Sequence, residues 1–87
     1  MINILWESTY RETRDPYLNV PALRKNGSIN NLIVLSICKI DLNQPTPYYR
    51  VDIPGAPAIF SDDEMEAMER AEVYINSHPF LVASLKV

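Results

Sequence analysis

Apolar and polar residues alternate from the start of the chain. Ile2, Ile4 and Trp6 share one side of Ile2–Glu7, a period of two that predicts a strand. From Ser8 to Ser28 the pattern weakens. Asp15-Pro16 and Val20-Pro21 push the residue before each proline away from helix, so an irregular arm over about 8–28 is expected, packed against a sheet or free to act. Within it, Pro21–Lys25 offers one helical turn or a lead into a hairpin. The Asn26-Gly27 pair, which supplies the two positive φ angles of a type I′ turn, favours the hairpin.

Ile29–Leu42 is the main core candidate. Ile29, Leu32, Ile33, Ile37 and Ile40 also fit helical spacing, but five β-branched residues and the preceding Asn-Gly favour a strand. Ile33, Leu35 and Ile37 on one face, with Leu32, Val34, Cys38 and Ile40 on the other, predict a central strand covered on both sides over part of its length. Asn43–Pro47 reads as a loop. Tyr48–Ile53 alternates again, with Tyr49, Val51 and Ile53 inward and Tyr48, Arg50 and Asp52 outward, until Pro54, Gly55 and Pro57 end it.

At Ser61 the period changes. Ser61-Asp62-Asp63-Glu64 matches a capping box with Ser61 as N-cap, and Phe60 and Met65 stand at the staple positions. Met65, Met68, Ala71 and Ile75 then share a face flanked by Ala67 and Tyr74. Asp62, Glu66, Glu69 and Asn76 lie opposite with Val73 among them, and Pro79 stops the helix near Ser77. Phe80–Val87 alternates as a closing strand. The sum is one α+β domain over 1–87, with a small antiparallel or mixed sheet of about four strands and one long helix packed on it. Trp6 and Tyr49 are the aromatics expected in its core.

Composition narrows what such a domain can do. The 87 residues, opening at Met1 as expected of a complete small protein, bury roughly 64% of their surface on folding, enough for one modest core and no deep enclosed cavity. A single cysteine, Cys38, closes no internal disulfide, which fits a reducing, cytoplasmic setting. The longest apolar run, Leu32–Leu35, is far short of the ~20 residues of a membrane span, and no signal peptide is visible.

Charge is uneven along the chain. Residues 1–50 carry six basic side chains (Arg11, Arg14, Arg24, Lys25, Lys39, Arg50) against four acids, a net of +2. Residues 51–87 carry two basic side chains against seven acids, a net of −5, which completes the overall −3. Such a layout speaks to surfaces and partners rather than to fold.

Catalytic chemistry finds little footing. Cys38 lies in an apolar run and the one histidine, His78, at a helix exit, where bonding to the last carbonyls accounts for it better than a dyad with Cys38. No ligand spacing for zinc or calcium and no phosphate-cradling loop is present, so no metal or cofactor is expected. Carboxylates drawn from Asp62, Glu66 and Glu69 sit on a solvated face with little reason to shift their titration, and the chain is not expected to be an enzyme.

Binding chemistry remains. Tyrosine and tryptophan, five and one in number, are residue types favoured at interfaces. The leading expectation is a non-enzymatic module that binds a protein, acting as an inhibitor or regulator by occupying its surface. The candidate contacts are Tyr10, Arg11, Arg14 and Tyr17 in the arm and Asp62, Glu66, Glu69 and Val73 on the helix. The row of carboxylates there could imitate nucleic-acid phosphates, as in small inhibitors of viruses and mobile elements. A second expectation is direct nucleic-acid binding by Arg11, Arg14, Arg24, Lys25 and Arg50 with interleaved tyrosines, against which the pI of about 4.9 weighs. A third is a homo-oligomeric subunit pairing through exposed edge strands.

Overall fold

The computed structural model describes residues 2–41 and 48–84, and among these the side chains of all but Ile33 and residues 82–84. The loop expected at 43–47 lies outside the described residues. Those described form six strands and two helices in the order β1 (Leu5–Trp6), β2 (Arg11–Arg14), β3 (Pro21–Ile29), β4 (Leu32–Ile40), β5 (Tyr48–Asp52), β6 (Ile59–Ser61), α1 (Glu64–Ser77) and α2 (Pro79–Ser84). Every strand pairing is antiparallel, in the order β1-β3-β4-β5-β6, with β2 alongside the other half of β3. The α+β class therefore holds, with six strands rather than about four.

Three strands are additional, β2 and β3 from the stretch read as an arm and β6 from the residues before α1, while α2 takes the place of the closing strand over 79–84. Residues 11–14 and 21–29 pair across a turn at 15–20, closed by Asp15 N–H to Val20 O at 2.8 Å. Pro21 is tolerated because it stands first in its strand, where a missing N–H costs least. The chain does not turn at Asn26-Gly27, which lies inside β3. It turns at Asn30-Asn31, whose φ angles of 54° and 68° are those of a type I′ hairpin. Gly27 serves another purpose there: a Cβ at this position would stand 2.8 Å from Ile4 Cγ2 and 3.0 Å from Trp6 Cε3. The glycine lets the N-terminal edge lie flat against β3.

β4 is the central strand, as its two apolar faces require. Leu35 and Ile37 join Ile4, Ile29, Val51, Ile53, Ile59 and the buried residues of α1 (Ala67, Ala71, Ile75) in the main core. Cys38 and Ile40, on the opposite face, join Ala22 in a smaller cluster flanked by Val20 and Tyr48. Trp6 and Tyr49 are half-buried against the main core. Small residues at 67 and 71 let α1 settle closely on β5 and β6.

α1 ends at Ser77, where the pattern reading stops it, but its N-cap and the segment that follows it differ from that reading. Asp63, not Ser61, is the N-cap: its carboxylate accepts the Glu66 N–H at 3.1 Å, while Ser61 Oγ accepts the Asp63 N–H at 3.1 Å. This two-residue shift leaves Phe60 and Met65 out of staple positions, and they are 54% and 62% exposed. After His78 the chain enters α2 instead of a closing strand. Pro79 stands at its first position, where proline's fixed φ and absent N–H suit a helix start.

Candidate functional site

The sheet divides the expected contact residues between two separate surfaces. On the face away from α1, uncovered by any helix, register places Arg11, Arg24, Cys38, Arg50 and Phe60 in one cross-strand row. Arg50, read as outward, does point away from α1 but is only 4% exposed. Its guanidinium is bound to the buried Asp15 carboxylate and, at 2.9–3.1 Å, to both oxygens of Asp52. Asp15 also accepts the Leu18 N–H at 2.7 Å, which fixes the 15–20 turn over the sheet. Tyr17 closes this arrangement from outside: its ring lies 4.9 Å from Arg50 Cζ and stays 76% exposed. The Arg50 hydrogen bond and charge hold the Asp15 carboxyl below its usual range although burial pushes it up. Burial pushes the neighbouring Cys38 thiol upward, away from the thiolate.

Beside this cluster an open groove of about 690 Å³ runs over the sheet, lined among others by Tyr17, Arg24, Asn26, Tyr48, Asp52 and Phe60. The Tyr48 and Phe60 rings lie 6.1 Å apart at its side. Arg11 and Arg14 flank this half of the molecule. Arg11 pairs with Glu7 at 3.0 Å, and Arg14 binds the Asn19 carbonyl.

Tyr10 is not a free contact. Its hydroxyl donates to Glu64 at 2.9 Å, and Lys25, 5% exposed, reaches the same carboxylate at 3.1 Å while lying 4.8 Å from the Tyr10 ring centroid. Burial pushes the Glu64 carboxyl up, but its bonds from Lys25 and Tyr10 outweigh this and leave it low. Burial and Glu64 together drive the phenol upward. This triad ties β3 to the first turn of α1. It uses up the glutamate that a Ser61 capping box would have employed.

The second surface is the outer flank of α1. Asp62, Glu66, Glu69 and Val73 are all exposed there, Val73 by 66%. Glu69 and Val73 border a groove of about 580 Å³ between α1 and the N-terminal edge, completed by Trp6, Met65, Met68, Glu72, Asn76 and Ser77. Asn76 joins its walls: its side chain accepts the Ile2 N–H at 2.8 Å and donates to Ile2 O at 2.9 Å. Met65 is the residue that the pattern reading placed wrongly on the buried face, whereas Trp6 and Met68 pack half-buried against the core as expected and also edge the groove. The signal was present in the helical wheel, where Met65 falls within about 40° of Glu69 and so outside the buried stripe.

His78, at the foot of α1, stacks on Tyr74 with its Nδ1 2.8 Å from Tyr74 O, on the opposite side of the sheet from Cys38. The two do not meet as a dyad. Among the described residues no group of three or more His, Cys, Asp or Glu is placed to hold a metal ion. No helix among them is long and apolar enough to cross a membrane. Comparison with known protein families, curated proteins and solved structures finds no match to this chain.

Proposed function

We propose that this chain is a non-catalytic protein-binding module, a small inhibitor or regulator that occupies a partner surface through the groove along α1. The observation that carries this reading is an apolar floor in which Met65 and Val73 stand 62% and 66% exposed beside half-buried Trp6 and Met68. Exposed apolar side chains that line a groove, rather than standing singly, are the usual mark of an interaction site. Val73 and Met65 interrupt the carboxylate row, which favours an apolar-anchored protein contact over a pure ladder of phosphate-like charges. A photo-crosslinking residue at position 77, exposed at the same groove, is expected to trap a defined protein from host lysate, while the same residue at position 14 traps none. Val73→Glu is expected to abolish capture. Capture that survives Val73→Glu unchanged would overturn docking at this groove.

A second reading keeps the uncovered sheet face as a nucleic-acid surface. It is favoured by the row from Arg11 through Arg24 to Phe60 beside Tyr17 and Tyr48. It is weakened because Arg11, Lys25 and Arg50, three of its five cations, are held in ion pairs with the chain's own carboxylates.

A further inference from the structure

The groove beside α1 carries one sign of charge. Met65, Glu69, Glu72, Val73 and Asn76 project within about 100° of each other on the wheel, so both glutamates stand at the apolar floor. Glu66 and Asp62 continue the same side toward the helix start. Arg70, the one cation in α1, lies on the other flank and donates to Phe60 O at 2.6 Å. Among the described residues no ion pair engages Glu66, Glu69 or Glu72. A partner whose apolar side chains enter the groove therefore brings its neighbouring residues against two uncompensated carboxylates. There the loss of water strengthens any charge pairing.

Shape narrows the occupant further. The groove follows α1 from Met65 to Ser77, about 18 Å at the helical rise. β1, its other wall, is a strand of two residues, Leu5–Trp6, too short an edge to seat an added strand by main-chain pairing. An element that supplies its own backbone hydrogen bonds and presents anchors at helical spacing suits such a trough.

We propose that the groove receives a basic amphipathic helix of a partner protein, its apolar face on Trp6, Met65, Met68 and Val73 and its Lys or Arg flank against Glu69 and Glu72. This rests on docking at the α1 groove and adds the chemistry of the partner. Trp6 is the only tryptophan in the chain, so its emission reports occupancy without a label.

Two helical peptides of about 18 residues, long enough to span the groove, would share leucine anchors at i, i+3, i+4 and i+7 and differ only in Lys or Glu flanks. The Lys peptide is expected to shift Trp6 emission saturably and to bind at least about tenfold tighter than the Glu peptide. Glu69→Lys with Glu72→Lys, both at surface positions, is expected to invert that order. Equal binding of the two peptides, an order unmoved by the double reversal, or no saturable shift with either would overturn the proposal. Crosslinked capture through position 77 separates this failure from the failure of docking. Capture lost in Val73→Glu without any charge preference among peptides leaves the groove a docking site for another chemistry. Capture indifferent to Val73→Glu removes the groove itself, and the basic helix with it.

Discussion

Arg50 binds Asp15 and Asp52 at once beneath the ring of Tyr17, and the two carboxylates are unequal partners. Asp15 is fully buried, whereas the Asp52 side chain keeps 29% of its surface in water. Removing one member of a buried pair leaves the other charge unsolvated, at about 3–5 kcal/mol, while a solvent-screened pair is worth about 1 kcal/mol or less. Asp15→Asn is therefore expected to cost about 3 kcal/mol in urea unfolding at neutral pH, and Asp52→Asn a fraction of that. The pH dependence follows from sign. The Arg50 hydrogen bond holds the Asp15 carboxyl below its unfolded value of about 3.9, so its contribution is full above about pH 5 and is lost as pH falls through 3.9 toward the folded value. Asp15→Asn should flatten that acid limb of stability against pH. An acid limb identical in the two proteins would show that the pair does not hold the 15–20 turn. Gly27 makes a steric demand instead of an electrostatic one. Gly27→Ala places a methyl 2.8 Å from Ile4 Cγ2, an overpacking expected to cost about 1–3 kcal/mol and to perturb Trp6 emission.

Among the elements, those with long unbroken periods were legible. α1 and β4 could be read because burial on one or two faces dictates many consecutive residue types. β2 and β3 were not. Arg11–Arg14 is all charge and threonine, and β3 buries Lys25, a residue type ordinarily left in solvent. Only the distant partners Glu64 and Tyr10 make that lysine acceptable, and no local pattern announces a contact 39 positions away. The Asn-Gly pair misled for a related reason: the glycine answered a tertiary close approach rather than a turn. The candidate contacts divide the same way. Exposure of Glu66, Glu69 and Val73 followed from the helical wheel, whereas the inward lock of Tyr10 depends on how β3 meets α1, and the groove wall at Trp6 on how the N-terminal edge meets it. Two expectations test the assignments at this scale. Asp63→Ala is expected to cost about 1 kcal/mol in thermal or urea unfolding, and Ser61→Ala clearly less, since Asp63 caps α1. Asn31→Gly is expected to stabilise the β3–β4 hairpin slightly, by relieving a side chain held at φ 68°.

For the whole molecule, folding consumes much of the positive charge that the sequence concentrates in its first half. Of the five cations considered for nucleic-acid contact, Lys25 and Arg50 are buried and paired, and Arg11 is bound to Glu7. Arg14 and Arg24 remain exposed, with Arg14 bonded to a neutral carbonyl. The helix layer on the other side keeps its negative charge, because Glu66, Glu69 and Glu72 have no ion-pair partner among the described residues. Sequence charge alone would therefore overstate the basic face and understate the acidic one. The difference is measurable, because each phosphate neutralised on a single strand contributes about −0.7 to the slope of log K against log salt. Two available arginines allow a slope of about −1.4, and five would give about −3.5. Anisotropy titration of a labelled oligonucleotide at several salt concentrations is expected to show weak binding with the shallower slope, and Arg24→Glu should remove about half of it. A slope near −3.5 would mean that the internal ion pairs open in favour of phosphate. The uncovered sheet face, rather than the α1 groove, would then be the principal binding surface.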